Sequence, residues 1–402
     1  MYDIIIRTAN TRKFKEPVDI GINGGKIMEI SPHIINSGRF EIDAREKFVT
    51  ESFVNPHLHL CKVYTLMMME EEALKDYHGK DMGKAMTAID IASKVKEHYE
   101  ESWILENVRK ALNLAVRYGV THIRGFADVD SKARLKGVNA LIKAKEEFKD
   151  LLDLQVVAFP QDGVVKDPPA YELVREAMKM GADVVGGIPW IEFTEKDEQI
   201  HIEKMFAVAK EFDKDISMLV DDAGDSTLRT TEMLAVKTIE EGYEGRVLAH
   251  HARAMSMYQT PYFMKLAALL KKAQIGIVTD PHTGPLHAKI RELLTEGVVV
   301  ILGQDDISDA YYPFGRNNML EVAFLAAHLL WMTTSSDLET LYDMITVNGA
   351  RAIGIKDFTM EEGHSANIVV LNEPNVLEAI RNHNEPLFVL NKGKIIKKPS
   401  ST

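Results

Sequence analysis

The sequence predicts an α/β fold, a (β/α)8 barrel of the TIM type, with a small β-sandwich domain formed by both chain termini. Two observations lead to this prediction. Eight short apolar runs alternate with segments of helical period through the middle of the chain, and both ends of the chain carry strand and hairpin patterns. Strand-then-helix repetition requires a parallel sheet, and eight such units close into a barrel.

The eight predicted barrel strands are separated by predicted helices. The first strand ends at His57, and the others are expected at 120–127, 154–159, 183–188, 215–220, 246–250, 274–279 and 298–303. The helical periods fall at 103–118, 133–148, 171–180, 202–212, 231–241 and 290–296. A doubly wound open sheet is the alternative. It is weakened because no Gly-x-Gly-x-x-Gly turn follows the first strand.

The termini predict the smaller domain. Apolar alternation at 18–22 and 26–30 flanks Asn23-Gly24-Gly25, which is a hairpin turn signal. A second hairpin is expected at 386–396, after a strand at 366–371. We therefore assign 1–52 and 362–402 to the β-sandwich domain and 53–361 to the barrel. The apolar run from Phe48 to His57 is interpreted as one continuous strand.

Bulk properties exclude several classes of function. The 402 residues carry a net charge of −12, and an acidic chain is a poor ligand for nucleic acid or anionic membranes. A single cysteine, Cys61, allows no intrachain disulfide, and no apolar run is long enough for a signal peptide or a membrane span. We expect a cytoplasmic protein with a small-molecule substrate and no nucleic-acid or membrane partner. The sequence leaves the oligomeric state open, a homo-oligomer included.

Polar residues collect where the predicted strands end. His57 and His59 are two residues apart in an extended segment, so both side chains point to one side and can hold one ion. Catalytic groups of such barrels lie at the carboxyl ends of the strands. The polar residues at the other strand ends are Asp128, Gln161, Asp221, Asp222, His250, His251, Asp280, His282, Asp305 and Asp306.

These residue types predict metal-assisted hydrolysis. A catalytic Zn2+ or Fe2+ requires about three protein ligands and one open position for water, whose pKa it lowers towards neutrality. We expect His57, His59 and Asp305 as ligands, with Asp305 also acting as the base. Asp222 would protonate the substrate, His251 would stabilise the attacking hydroxide, and Gln161 would bind a substrate carbonyl.

Motifs along the whole chain carry a family resemblance. They are the segments 53–60, 128–130, 154–163, 181–187, 305–306, 312–315, 348–351 and 363–367, of which Val157-Ala158-Phe159-Pro160-Gln161 and the region after strand 8 are the most specific. The chain resembles the amidohydrolase superfamily, in the branch of cytosine deaminase and N-isopropylammelide isopropylaminohydrolase. The resemblance implies a site with one metal. The two-metal version of the site needs a lysine at the end of strand 4 that becomes carbamylated, and this chain has no lysine there. It also implies that Asp306, like Gln161 and His251, engages substrate or hydroxide.

Four positions depart from this branch. Leu219 stands where strand 5 of the family carries a third histidine ligand, and Phe126 replaces a histidine on strand 2. Cys61 replaces an aspartate and is interpreted as a small buried residue, while His250 is an additional histidine. Metal occupancy therefore stays open. Asp221, two residues beyond Leu219, and His250 are the candidate replacement ligands.

Two hypotheses of function follow from these residues. The first is a metal-dependent hydrolase or deaminase that attacks a carbon–nitrogen bond of a small pyrimidine-like or triazine-like heterocycle with metal-activated water. The alternative is a metal-impaired paralogue that binds a small ring ligand without catalysis, and Leu219 and Phe126 motivate it. The near-complete set at one barrel face favours the enzyme, because His57, His59, Gln161, His251, Asp305 and Asp306 are all present together.

Overall fold

The computed structural model describes residues 1–68 and 82–399. The chain begins with four strands that form one sheet in the order β3-β2-β1-β4. A fifth strand follows before the barrel. The bounds are Tyr2–Ala9 (β1), Val18–Asn23 (β2), Lys26–Ser31 (β3), Gly38–Asp43 (β4) and Val49–Glu51 (β5). Gly24 and Gly25 adopt positive φ between β2 and β3, which confirms the predicted hairpin turn.

Eight parallel strands in consecutive order form the central sheet. Its ends meet where the backbone N–H of His59 donates to the Asp305 carbonyl at 2.8 Å and that of Asp305 donates to the His57 carbonyl at 3.0 Å. The (β/α)8 prediction is confirmed. The strands are Phe53–Leu58 (β6), Val120–Asp128 (β7), Asp153–Phe159 (β8), Val184–Gly187 (β9), Asp215–Val220 (β10), Val247–His251 (β11), Gly276–Thr279 (β12) and Val300–Leu302 (β13).

Helices connect the barrel strands and continue beyond the last of them. Local chemistry sets several of their ends: the Thr194 side chain caps one helix, and Gly181 ends another in a left-handed conformation. The bounds are Ala85–Ala92 (α1), Glu101–Arg117 (α2), Lys136–Phe148 (α3), Pro169–Met180 (α4), Glu195–Phe212 (α5), Thr230–Glu240 (α6), Thr260–Lys272 (α7), Ile290–Thr295 (α8), Met319–Leu329 (α9), Ser335–Met344 (α10), Val347–Ala352 (α11) and Val376–Asn382 (α12).

The last three strands return to the N-terminal region. Ile368–Val370 (β14), Phe388–Asn391 (β15) and Lys394–Lys397 (β16) form a second four-stranded sheet with β5. Apolar residues of both small sheets share one core, which includes Ile4, Ile6, Ile20, Ile22, Ile368, Val370 and Leu390. This is the β-sandwich expected from the termini. The domain limits 1–52, 362–402 and 53–361 themselves stay a prediction.

The run from Phe48 to His57 is two strands, so the prediction of one continuous strand is wrong. The backbone N–H of Ser52 donates to the Asn367 carbonyl of the small domain, at 3.0 Å. The next N–H, that of Phe53, donates to the Gly119 carbonyl of the barrel, at 2.9 Å. The backbone thus changes its partner sheet between two adjacent residues, and β5 and β6 belong to different sheets.

Helix α1 packs over part of the barrel mouth. Its residues Ala85, Ala88 and Ile89 share an apolar cluster with Phe126 and Leu219 of the barrel strands. The methionine run at 67–69, interpreted as packing, lies at the edge of the described residues. Met67 is exposed, and Met69 falls outside them. None of the helices in residues 1–68 and 82–399 is both long and apolar enough to cross a membrane.

A buried glutamate on α5 makes stability depend on pH. Burial, followed by the nearby Asp221, raises the pKa of Glu198 from its ordinary value of 4.5 to about 7. Protonation is therefore favoured in the folded state, and its stabilising effect is lost as the pH rises through 7. Glu198→Gln should raise the free energy of unfolding by roughly 2 kcal/mol at pH 8 and by little near pH 4. Urea unfolding at both pH values measures this difference, and exposed Glu203→Gln on the same helix is the control.

Candidate metal and active site

Three histidines and one carboxylate converge at the carboxyl end of the barrel. One donor atom each from His57, His59, His251 and Asp305 lies within 4.8 Å of all the others. The Asp305 Oδ1 atom is 3.0 Å from His57 Nε2, 3.7 Å from His59 Nε2 and 3.9 Å from His251 Nε2. All four side chains are buried. The structure therefore brings together the three predicted ligands and adds His251 to them.

Backbone turns at the strand ends aim two of these side chains. His251 and Asp305 have φ values of 67° and 66°, in the left-handed region that non-glycine residues seldom adopt. Strain of this kind persists where the surrounding structure enforces it, and it concentrates at functional sites. The turn at His251 also ends the simple alternation of the strand. Both His250 and His251 thus lie inside the barrel, whereas regular alternation along a strand would place only one of them there.

His250 lies beside the four-donor cluster without being part of it. Its ring centroid is 4.7 Å from that of His57 and 5.2 Å from that of Phe126. Neither ring nitrogen of His250 has a hydrogen-bond partner in the described part of the chain. Burial lowers the pKa of His250 well below its ordinary value, so the ring is neutral. Its candidacy as a replacement ligand stays open.

Neighbouring carboxylates orient the His251 ring and favour its protonated form. Its Nδ1 atom is 2.8 Å from Asp280 Oδ1, which leaves Nε2 directed at the cluster. Burial alone would lower the pKa of His251, but Asp280, Asp222 and Asp305 outweigh burial and raise it to about 9. The same interaction with His251, together with Arg253, lowers the pKa of Asp280 well below its ordinary value against the effect of burial. A carboxylate behind a histidine is a recurring feature of metal centres.

The donor set fits a divalent transition metal. Imidazole nitrogens with one carboxylate oxygen are the ligands of catalytic zinc and iron sites. The Nδ1 atoms of His57 and His59 are buried and have no hydrogen-bond partner among residues 1–68 and 82–399. Burial lowers the pKa of both rings well below the ordinary value, so both are neutral. A neutral imidazole keeps one nitrogen lone pair with which it can ligate a cation.

Leu219, Phe126 and Cys61 supply no ligand. Leu219 and Phe126 belong to the apolar cluster under α1, so this wall of the barrel is apolar. Cys61 is buried, and burial raises the pKa of its thiol to about 12, which keeps it protonated. The interpretation of Cys61 as a small buried residue agrees with this environment.

Asp221, one of the two candidate replacement ligands, points away from the cluster, so this candidate assignment is wrong. Its Oδ1 atom accepts from the backbone N–H and hydroxyl of Thr230, both at 2.7 Å. Its Oδ2 atom accepts from Thr231 N at 3.2 Å and from the Tyr258 hydroxyl at 2.7 Å. The chain turns at Asp221, where φ is 47°, so the same-side rule for extended residues no longer holds. Asp221 instead anchors the start of α6.

Asp222 and Asp306 lie at the mouth near the donors. Asp222 is buried, and its Oδ1 atom accepts from Arg253 Nε at 2.8 Å. Burial raises the pKa of Asp222. Burial, and then the neighbouring Asp305 carboxylate, raise the pKa of Asp306 well above its ordinary value. The Oδ1 atom of Asp306 has no hydrogen-bond partner in the described ranges, which leaves it available to a ligand.

Gln161 is held by two neighbours. Its Oε1 atom accepts from Lys62 Nζ, and its Nε2 atom donates to the Tyr311 hydroxyl at 3.1 Å. Lys62 itself is buried, and its Nζ atom is 3.4 Å from Asp128 Oδ1. A carboxamide has two N–H donors, so one stays available for a substrate carbonyl.

Residue patterns missed Arg253 and Thr283, and left Asp280 without a role. Arg253 Nη2 is 2.8 Å from Asp280 Oδ2, and the Thr283 hydroxyl is 2.8 Å from Asp305 Oδ2. Arg253 follows β11 by two residues, and a charged residue so near a predicted strand end was the available signal. No sequence pattern pointed to Thr283.

Fold and site together define a barrel hydrolase with a metal-type donor cluster at its strand ends. A sequence model described as "Amidohydrolase family" matches residues 41–395, so the chain belongs to the amidohydrolase family. The chain is an enzyme that acts on carbon–nitrogen bonds other than peptide bonds. The resemblance seen in the sequence motifs is confirmed.

Individual relatives agree with this assignment. The chain is 33% identical over 398 residues to N-isopropylammelide isopropyl amidohydrolase of Pseudomonas sp. (strain ADP), covering 99% of this chain and 98% of the relative. It is 25% identical over 399 residues to a pterin deaminase of Rhizobium rhizogenes, covering 94% of this chain and 87% of the relative. A crystal structure of 5-methylcytosine deaminase from Klebsiella pneumoniae liganded with 5-fluorocytosine has a TM-score of 0.89 at 28% identity, covering 99% and 98% of the two chains.

Proposed function

We propose that this chain is a metal-dependent hydrolase or deaminase of a small nitrogen heterocycle, pyrimidine-like or triazine-like. One divalent ion, Zn2+ or Fe2+, is the proposed cofactor. The observation that carries the proposal is the buried cluster of His57, His59, His251 and Asp305, with donor atoms within 4.8 Å of one another. The substrates named for the similar proteins, an ammelide, a pterin and 5-methylcytosine, are nitrogen heterocycles and support the substrate class.

His57, His59 and Asp305 are the proposed metal ligands. A bound divalent ion would supply Lewis acidity and lower the pKa of a water in this site. His251, the fourth donor, is positioned by Asp280 to hold the attacking water through Nε2. Asp305 Oδ1 lies centrally among the three rings and can accept the proton of that water.

Asp222 is the proposed proton donor to the substrate. Its raised pKa and its position at the mouth suit it to pass a proton to the ring nitrogen and then to the leaving amine. Gln161 would donate its remaining N–H to a ring carbonyl, while Asp306 Oδ1 would engage a ring N–H. The apolar wall that includes Leu219 and Phe126 would contact the other side of the ring.

Release of ammonia or amine tests the proposed function. The purified protein, loaded with Zn2+ or with Fe2+, is incubated with aminopyrimidines, amino- and alkylamino-triazines and a pterin. We expect release from at least one ring class, with loss after chelation and recovery when metal is returned. Binding of a ring compound without release of ammonia or amine, in either metal form, would favour the metal-impaired alternative. The intact donor cluster argues against that alternative.

Leu219→His is expected to strengthen metal binding. Leu219 faces the barrel interior on β10 and pairs in register with His250 of β11. The ring centroid of His250 is in turn 4.7 Å from that of His57. An imidazole there would add a ligand, and we expect about a 10-fold lower Kd for Zn2+, since one further coordinate bond outweighs the loss of apolar packing. Competition with a chelator measures the Kd. Leu219→Met is the matched control, and equal Kd values for both variants would mean that β10 does not face the ion.

A further inference from the structure

A buried arginine crosses the mouth of the barrel. Arg253 begins the short helical turn Arg253–Met257 after β11, and its side chain is 1% exposed. His251 and Ala252 both have positive φ, so the chain turns sharply and returns Arg253 over the site. A guanidinium keeps its charge when buried, so its position needs compensating carboxylates.

Its donors reach carboxylates from three strand ends. Arg253 Nε donates to Asp222 Oδ1 after β10, and Nη2 to Asp280 Oδ2 after β12, both at 2.8 Å. The same Nη2 atom is 3.4 Å from Asp305 Oδ2 after β13. Nη2 also donates to the Thr283 hydroxyl at 2.8 Å, and Nη1 to the Leu286 carbonyl at 3.1 Å. The guanidinium thus joins Asp222, Asp280 and Asp305 to one another.

These contacts select which oxygen of each carboxylate is available. Arg253 and Thr283 both bind Asp305 Oδ2, so Oδ1 is the oxygen directed at the histidines. Arg253 Nε binds Asp222 Oδ1, so Oδ2 is the oxygen with which Asp222 can exchange a proton. We propose that Arg253 is a positioning residue, which orients the two carboxylates that handle protons in the hydrolysis. This inference rests on the proposed function.

The surroundings of Arg253 fit its side chain closely. A Cβ atom at Gly284 would lie 2.6 Å from Arg253 Nη1, closer than real carbon contacts allow. Glycine is thus needed at 284 to leave space for the guanidinium. Gly284→Ala would displace the guanidinium without changing any charge, which provides a second perturbation independent of substitutions at 253 itself.

The test compares three variants with one control variant. Arg253→Gln should lower kcat about 10- to 100-fold, the size of effect that outer partners of metal ligands have, with a smaller change in KM. Arg253→Lys should stay similarly impaired because an ammonium cannot reproduce the planar fork, and Gly284→Ala should fall between them and the unchanged protein. Arg246→Gln, directly before the first residue of β11 and so at the other end of the barrel, should retain kcat, although Arg246 also binds two aspartates.

A spectroscopic readout separates positioning from folding. Each variant is loaded with Co2+ alone, and its visible absorption and thermal unfolding are measured. Arg253→Gln should bind one Co2+ with an altered absorption band, because Asp305 Oδ2 then keeps only Thr283 of its two partners and the carboxylate can reorient, whereas Arg246→Gln should keep the band. Unchanged kcat and unchanged Co2+ spectra in Arg253→Gln would overturn the proposal. Absence of activity in the unsubstituted protein would instead overturn the proposed function.

Discussion

Replacing Asp305 by asparagine is expected to abolish catalysis and metal retention together. Asp305 Oδ1 lies among the three imidazoles, at 3.0 to 3.9 Å from their Nε2 atoms. An amide oxygen ligates weakly and cannot accept the proton of the attacking water. We expect kcat/KM to fall at least about 10³-fold, since both the metal and the base are lost. Steady-state kinetics and metal analysis of the same preparation measure the two effects.

The control for this prediction is the stability of the variant itself. Burial, and then repulsion from Asp280, raise the pKa of Asp305 well above its ordinary value, so its carboxylate is costly to the fold. Asp305→Asn should therefore unfold at the same temperature as the metal-free parent or above it. Retention of activity and of one metal per chain in a folded Asp305→Asn protein would exclude Asp305 from the centre.

Asp222→Asn should separate proton transfer from metal binding. Asp222 lies outside the four-donor cluster, and its described hydrogen bond is to Arg253 Nε. We expect metal content to stay unchanged while kcat falls about 10²- to 10⁴-fold, the usual contribution of a general acid. Metal analysis and kcat for the same samples give the comparison.

Asp225→Asn provides the matched control for Asp222, because Asp225 is an exposed carboxylate three residues further along the same loop. We expect it to keep both metal and kcat. If Asp222→Asn retains kcat to within a few-fold, proton delivery must be assigned to another group. If it loses metal instead, Asp222 must contact the ion.

The barrel could be predicted because each strand and helix carries its own local pattern. Apolar runs between helical periods located all eight strands, and Asn23-Gly24-Gly25 located a hairpin. The division at Ser52 could not be predicted. Both β5 and β6 are buried, and tertiary hydrogen bonds, to Asn367 on one side and Gly119 on the other, distinguish them.

The candidate site was predictable as far as strand periodicity holds. His57 lies in β6 and His59 directly follows its last residue, and their pairing with Asp305 followed from the closure of the barrel. Asp221 and His251 stand where φ becomes positive, so the alternation of side chains along a strand no longer applies to them. It placed the Asp221 side chain on the wrong side, and it could not tell which of His250 and His251 faces the donors. Arg253 acts through contacts with three distant strand ends, which no local pattern contains.

Anomalous diffraction from crystals of the metal-loaded protein tests the central claim most directly. Data collected at the zinc and iron absorption edges would identify the ion and locate it in one experiment. We expect one anomalous peak per chain, within about 2.0–2.2 Å of a nitrogen of His57, a nitrogen of His59 and Asp305 Oδ1. No peak at either edge after loading with both metals, or a peak away from these three residues, would contradict a metal-dependent hydrolase at this site.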